Sequence, residues 1–232
     1  MILQISYQIR FPLGAEFQSD PKYLFIKKIY SNMKKIICVN SKLYKCENCI
    51  KKENCLYYFL SGEDFKGFPA IIVNRQLLEK KKYNKNESLE LSFYLIGTAT
   101  QYVDFISEYL DTTNKLWNNF FQKRLMKVEY LDDTELYNGK LKSETLLTDM
   151  NEIPLCLCYY NEKYNCQYII PDTKIVLEGS YIRDFNYYQI NLKRFYFNGF
   201  KMIIEVKNYP AIFMRIGIGK NAFSGGGKFN EN

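Results

Sequence analysis

The order in which strand-like and helix-like patterns alternate over the first 131 residues most restricts the fold. Ile2 to Phe11 alternates apolar and polar positions, with Ile5, Tyr7, Ile9 and Phe11 on one face, the period-two signature of a half-buried strand. Asp20-Pro21 then supplies an N-cap followed by proline at the first helical position. From there Phe25, Ile26, Ile29, Met33 and Ile37 recur at helical spacing. Residues 68–74 and 88–96 read as strands separated by the charged loop 79–86, although the strand count between 38 and 74 stays open. Gly97-Thr98 turns the chain into a helix over about 100–110, with Tyr102, Phe105, Ile106 and Tyr109 inward. Residues 123–131 are strand-like again.

A β-α-β-β-α-β order is that of the ferredoxin-like unit, an antiparallel sheet with both helices on one face. From residue 132 the sequence turns β-rich. Strands are expected at 154–160, 166–170, 174–182, 188–197 and 201–206, with Asn198-Gly199 as a hairpin signal. One short helix is expected at 209–216. Two domains follow, 1–131 with a cysteine-containing insertion and 132–232. No linker of low complexity separates them, so the halves should pack on each other.

The chain ends in a glycine-rich stretch that holds Gly217, Gly219, Gly225, Gly226 and Gly227, five of its 12 glycines. Glycines let backbone N–H groups approach a ligand without Cβ obstruction. Lys220, Asn221, Ser224 and Lys228, interleaved with them, add donors suited to phosphate oxygens. A plain glycine-rich tail is the alternative, against which Phe223 and Phe229 read as anchors.

Composition bears on the ligand. The chain has 21 Tyr and 17 Phe against one Trp, and a net charge of +7. Aromatic rings stack on unpaired bases, so this balance leans toward single-stranded RNA. Abundant Lys, Asn, Tyr and Ile is also what an AT-rich genome produces. There is no secretory-type apolar core at the start and no run of about 18 apolar residues, which predicts an intracellular, cytoplasmic protein. Its seven cysteines then read as thiols or metal ligands rather than disulfides.

Two clusters carry candidate chemistry. Cys38, Cys46, Cys49 and Cys55 could close a tetrahedral Cys₄ site holding a structural zinc, and the absence of histidine excludes every zinc set containing imidazole. Packed, reduced thiols are the plainer reading, and Cys156, Cys158 and Cys166 look like core. On the first helix, Tyr23, Lys27, Tyr30 and Lys34 fall at i, i+4, i+7 and i+11, on one common face. A solvated basic face is the plainer reading there.

Taken together, the chain resembles the CRISPR-associated endoribonucleases that cut repeat RNA, members of the repeat-associated RNA-binding superfamily. The family's cysteine block is similar to Cys46…Cys49…Cys55-Leu56-Tyr57, with Leu56 in place of its proline. Its strand-to-helix junction resembles Leu95-Ile96-Gly97-Thr98-Ala99…Tyr102, and its terminal signature resembles the stretch from Gly217 to Gly227. The resemblance implies an α+β fold of two ferredoxin-like domains in tandem, the second β-rich and ending in the glycine-rich loop. It also implies cleavage of precursor guide RNA in antiviral defence without a catalytic cofactor. The substrate's 2′-OH attacks the adjacent phosphate, leaving a 2′,3′-cyclic phosphate and a 5′-OH.

The family draws a histidine from its first helix for acid/base work, and this chain has none. The Tyr/Lys face occupies that helix. It offers Lys27 or Lys34 as acid and electrostatic stabiliser, and Tyr23 or Tyr30 as orienting hydroxyl. The region 174–200 is shorter than in the family and points to different repeat recognition, with Arg183, Lys193, Arg194, Tyr187 and Tyr188 as basic and aromatic candidates. Implied partners are precursor repeat RNA, other CRISPR-associated effector proteins and a second copy of the chain. The alternative reading is a non-catalytic guide-RNA-binding subunit of an effector complex. A zinc-stabilised protein-interaction module is a third.

Overall fold

A computed structural model of the chain describes residues 1–38, 46–76, 80–184 and 197–232. The first sheet has four strands: β1 (Ile2–Phe11), β2 (Ile71–Val73), β3 (Glu87–Ile96) and β4 (Gln122–Leu131). Their order across the sheet is β2-β3-β1-β4, every neighbouring pair antiparallel. Helices α1 (Pro21–Ile37) and α2 (Asp104–Thr112) are the two crossovers. This is the ferredoxin-like topology expected from the sequence.

A second sheet repeats it. Its strands are β5 (Leu136–Ser143), β6 (Asp172–Asp184), β7 (Phe197–Pro210) and β8 (Phe229–Glu231), in the order β6-β7-β5-β8. The crossovers are α3 (Glu152–Lys163) and the single-turn helix α4 (Ile212–Ile216). The fold is therefore α+β with two ferredoxin-like βαββαβ units in tandem.

The second unit corrects three sequence expectations. Residues 154–160 form helix, not strand, because Ile153, Cys156, Leu157 and Tyr160 recur at helical spacing and are all buried. Residues 166–170 join no ladder. The Asn161 amide takes over the pairing, donating to the Tyr168 carbonyl at 2.8 Å and accepting from its N–H at 2.7 Å. The helix expected at 209–216 is shorter, since Tyr209 and Pro210 still belong to β7. The helix expected at about 100–110 begins instead with a 3₁₀ segment, Gly97–Tyr102, before α2. The predicted strand 188–197 lies almost wholly outside the described residues.

Aromatic side chains join the two units. Tyr164, just after α3, donates its hydroxyl to the carbonyls of Phe59 and Phe68 at 3.0 and 2.9 Å. Tyr160 bonds the Pro69 carbonyl at 3.3 Å and stacks on Phe213. Gly97 permits this approach: its φ is +55°, and a Cβ there would lie 2.0 Å from the Tyr164 carbonyl oxygen. Buried tyrosines thus serve the core, and each large buried side chain contributes about 1.5–3 kcal/mol. Among the described residues no helix is long and apolar enough to cross a membrane.

Candidate functional site

Helix α1 starts where the sequence places it. Asp20 is the N-cap, its carboxylate accepting from the Lys22 and Tyr23 N–H groups at 2.7 and 3.3 Å, with Pro21 at the first helical position. Leu24, Phe25, Ile26, Ile29 and Met33 are buried, Phe25 against Phe121. The four residues of the Tyr/Lys face part company here. Tyr23 and Lys27 are half-buried. Tyr30 is buried: its hydroxyl donates to the Leu60 carbonyl at 3.1 Å and accepts from the Ile71 N–H at 3.3 Å. The expectation of Tyr30 as a hydroxyl for substrate is corrected, because that hydroxyl is spent on backbone groups of the core.

The two lysines also differ. Burial, with Lys28 adding repulsion, pushes the Lys27 ammonium down to about 8. Lys34 instead lies 3.3 Å from Asp64, over the Tyr57 ring at 4.9 Å. Burial works to lower its pKa, but the Asp64 carboxylate and the Cys46 thiol outweigh that and raise it. Asp64 also accepts from the Tyr57 hydroxyl at 2.9 Å. Burial opposes its ionisation, yet the bonds from Tyr57 and Lys34 hold it below the usual range. Its position depends on an unusual turn: Gly62, Glu63, Asp64 and Phe65 have φ of 60°, 61°, 57° and 66° in succession. Left-handed backbone at non-glycine residues costs about 1–3 kcal/mol each, so this turn must be held by its surroundings.

The glycine-rich stretch folds upon itself. The N–H groups of Ile218 and Gly227 donate to Gly227 and Leu146 carbonyls at 3.1 and 2.8 Å. Those of Gly225 and Gly226 donate to Ala222 and Asn221 at 2.8 and 2.9 Å. The Lys228 N–H goes to Thr145 Oγ1 at 2.9 Å, and that of Gly217 to Phe213 at 3.0 Å. These donors are not presented to a phosphate, which corrects that part of the expectation. Glycine is needed because the loop packs on its own backbone: a Cβ on Gly227, at φ +68°, would sit 1.8 Å from the Ile218 carbonyl oxygen.

Of the side chains expected to bind RNA here, Lys220 is exposed and Asn221 half-buried, the latter bonded to Thr148 Oγ1 at 2.9 Å. The Lys220 N–H points to the buried Glu152 carboxylate at 3.3 Å, and a Cβ on Gly219 would lie 2.7 Å from the same carboxylate. Ser224 is buried, its hydroxyl donating to the Asn221 carbonyl. Lys228 is buried too and donates to Asn74 Oδ1 at 2.7 Å, so its ammonium serves the fold. Arg183 belongs to β6, while Tyr187, Tyr188, Lys193 and Arg194 lie outside the described residues.

Helix α1 and this loop are bound to each other through Arg75 and Phe65, which the sequence did not mark out. Arg75, buried, pairs with the Asp20 carboxylate and donates Nη1 to the Ser224 carbonyl at 3.2 Å. Gly225 lets the loop reach it, since a Cβ there would lie 2.6 Å from the Arg75 Cβ. Stacked edges extend the link: Tyr30 meets Phe65 at 5.0 Å and Phe65 meets Phe223 at 5.1 Å. No sequence signal marked Arg75 as buried, because a charged residue after an apolar run ordinarily reads as a strand end.

The family model described as "AF_1859_N: N-terminal domain" matches residues 29–145, just over half of the chain. The chain belongs to that family. Among solved structures, it is similar to an RAMP protein binding different RNA substrates, at 11% identity and a TM-score of 0.50 over 98% of each chain. It is likewise similar to a Cas6 product complex, at 10% identity and a TM-score of 0.50 over 95% of this chain and 96% of that one. At such identities the likeness is one of fold. No curated protein matches the chain.

For a member of this family the cysteine block is plain in its chemistry. Cys38, Cys46, Cys49 and Cys55 are free thiols, and among the described residues no three Cys, Asp or Glu side chains come together as metal ligands. The donor set does not fit the structural zinc considered from sequence. Cys46 instead joins the Lys34–Asp64 network, and burial, followed by Asp64, raises its thiol pKa. Cys156 and Cys166 are buried as expected, but on and after a helix rather than in strands; Cys158 is exposed.

Proposed function

We propose that this protein is a CRISPR-associated endoribonuclease that binds and cleaves precursor repeat RNA by attack of the substrate's own 2′-OH. The products are a 2′,3′-cyclic phosphate and a 5′-OH. The observation that carries the reading is Lys27: a half-buried lysine pushed down to about 8, on the helix whose cap is tied to the glycine-rich loop through Arg75. An ammonium with such a pKa can give its proton to a leaving oxygen near neutrality, which an ordinary lysine does poorly. The fold, shared with an RNA-binding RAMP protein and a Cas6 product complex, supports RNA as the partner.

The roles follow from the local chemistry. Lys27 protonates the departing 5′-oxygen, while water takes up the proton of the attacking 2′-OH. Lys34, kept charged by Asp64, supplies fixed positive potential rather than protons, and Lys220 contacts the phosphate backbone. Tyr23, one turn before Lys27, orients the substrate. Holding the 2′-OH in line with phosphorus contributes the rest, an effect worth several kcal/mol.

The absence of histidine favours a second reading, a guide-RNA-binding subunit without cleavage activity. Incubating the protein with synthetic repeat RNA in excess EDTA and mapping the product ends separates the two. A single cut ending in a cyclic phosphate, blocked by a 2′-deoxy nucleotide at that site, supports the nuclease. Tight binding with no cut, across several repeats, supports the subunit.

A further inference from the structure

Strand β4 is the last strand of its sheet, pairing among the described strands with β1 only. A ten-residue edge leaves a row of outward N–H and C=O groups, which proteins ordinarily cover or guard with charge. This one also carries exposed apolar side chains: Leu125 is 53% exposed, Val128 50% and Tyr130 64%.

The register explains how they share one side. Leu125 lies opposite Tyr7 and Lys127 opposite Ser6, so Met126 is the extra residue of a bulge. Val128 is opposite Ile5, and Ile5 and Tyr7 are on the same face of β1. Leu125 and Val128 therefore point to the same face despite their odd spacing. Arg124, opposite Gln8, and Glu129, opposite Gln4, point to the other.

We propose that β4 is a self-association edge, along which a second copy of this chain pairs antiparallel about a two-fold axis at the bulge. Two four-stranded sheets then join into one of eight. In that register Leu125 faces Val128 of the second copy and Arg124 faces its Glu129, and symmetry makes each contact twice. Side chains of like face meet throughout, which the bulge makes possible. Sliding by one pair in one direction sets Arg124 against Lys127; sliding in the other sets Lys127 against Val128, which point to opposite faces. Charge and pleat thus select one register and one occupant, the same strand again. Within a single chain Glu129 already accepts from Lys127 at 2.5 Å, so Arg124 of the second copy adds a second cation to that carboxylate.

Sedimentation velocity on RNA-free full-length protein, over the micromolar range, reads the proposal directly. A concentration-dependent dimer is expected. R124E or E129R alone should raise the dimer Kd by at least about tenfold, as like charges face each other across the axis. The double reversal R124E/E129R should restore it. Arg124 is exposed and Glu129 half-buried, and unchanged melting temperatures would show that the variants fold. A wild-type chain that stays monomeric overturns the proposal, as do single reversals that leave the dimer intact or a double reversal that stays monomeric.

Discussion

Arg75 donates to the Ser224 carbonyl at 3.2 Å across 149 positions of sequence, while the same guanidinium is paired with Asp20. Asp20 is also the cap of α1, so one buried carboxylate fixes both the start of the helix and the seat of the glycine-rich loop. The two parts expected to meet RNA are held in register from beneath.

Removing one partner of such a pair leaves a buried charge without compensation. Arg75→Ala should lower unfolding free energy by about 3–5 kcal/mol in urea. Asp20→Asn keeps a side chain that caps helices well and should lose less at the helix, so its cost reports the unpaired guanidinium. If Arg75→Ala costs under about 1 kcal/mol, the pair does not hold the two parts together.

Much of this arrangement was legible beforehand. The alternation of Ile2–Phe11, the Asp20-Pro21 start and the Gly97 junction each announced their element, because their signals are local. The two ferredoxin-like sheets follow from that order. Arg75, Asn74 and Asp64 were not legible, since the pairing of a polar side chain inside the fold depends on partners that local sequence does not name: Ser224 for Arg75, Lys228 for Asn74 and Lys34 for Asp64. The α3 error had a different source. The alternation of Cys156 and Cys158 and the tyrosines after them favour a strand locally, while Ile153, Cys156, Leu157 and Tyr160 carry the helical period that prevails, and Pro154 is tolerated in the first helical turn.

Lys27 gives a pH dependence with a definite sign. Its folded value, about 8, lies below the ordinary 10.5, so the folded protein resists protonation of this side chain. The destabilisation is fully present below pH 8 and is relieved as pH rises from about 8 toward 10.5. Lys27→Met should therefore be more stable than wild type at pH 7, with the gain fading above pH 10. A gain that persists at high pH would assign it to packing rather than charge.

The same titration should appear in cleavage. With Lys27 as the proton donor, single-turnover rates corrected for hydroxide should fall as pH rises through about 8. Lys27→Arg, charged throughout, should flatten that limb while reducing the rate, since an arginine does not give up its proton. Rates that rise through the same pH would make Lys27 a base instead.

Tyr23 and Tyr30 should separate cleanly. Tyr30→Phe removes bonds to the Leu60 and Ile71 backbone and should cost about 1–3 kcal/mol of stability, with binding of repeat RNA unchanged. Tyr23→Phe should leave stability within about 0.5 kcal/mol and slow cleavage. Equal, purely structural losses in both would remove Tyr23 from the site.

Lys220 and Lys228 stand in one glycine-rich stretch and invite the same role, yet one is exposed and the other buried against Asn74. A phosphate contact releases counterions, so Lys220→Ala should weaken RNA binding and reduce the slope of log K against log salt by about 0.7. Lys228→Ala removes a buried bond and should instead lower the melting temperature, its effect on binding following from the loosened loop and leaving the salt slope as it was. Titrations at several salt concentrations, beside thermal melts, distinguish the two. A lowered slope in Lys228→Ala with unchanged melting would mean that its ammonium reaches the RNA after all, and that the Asn74 bond opens when substrate binds.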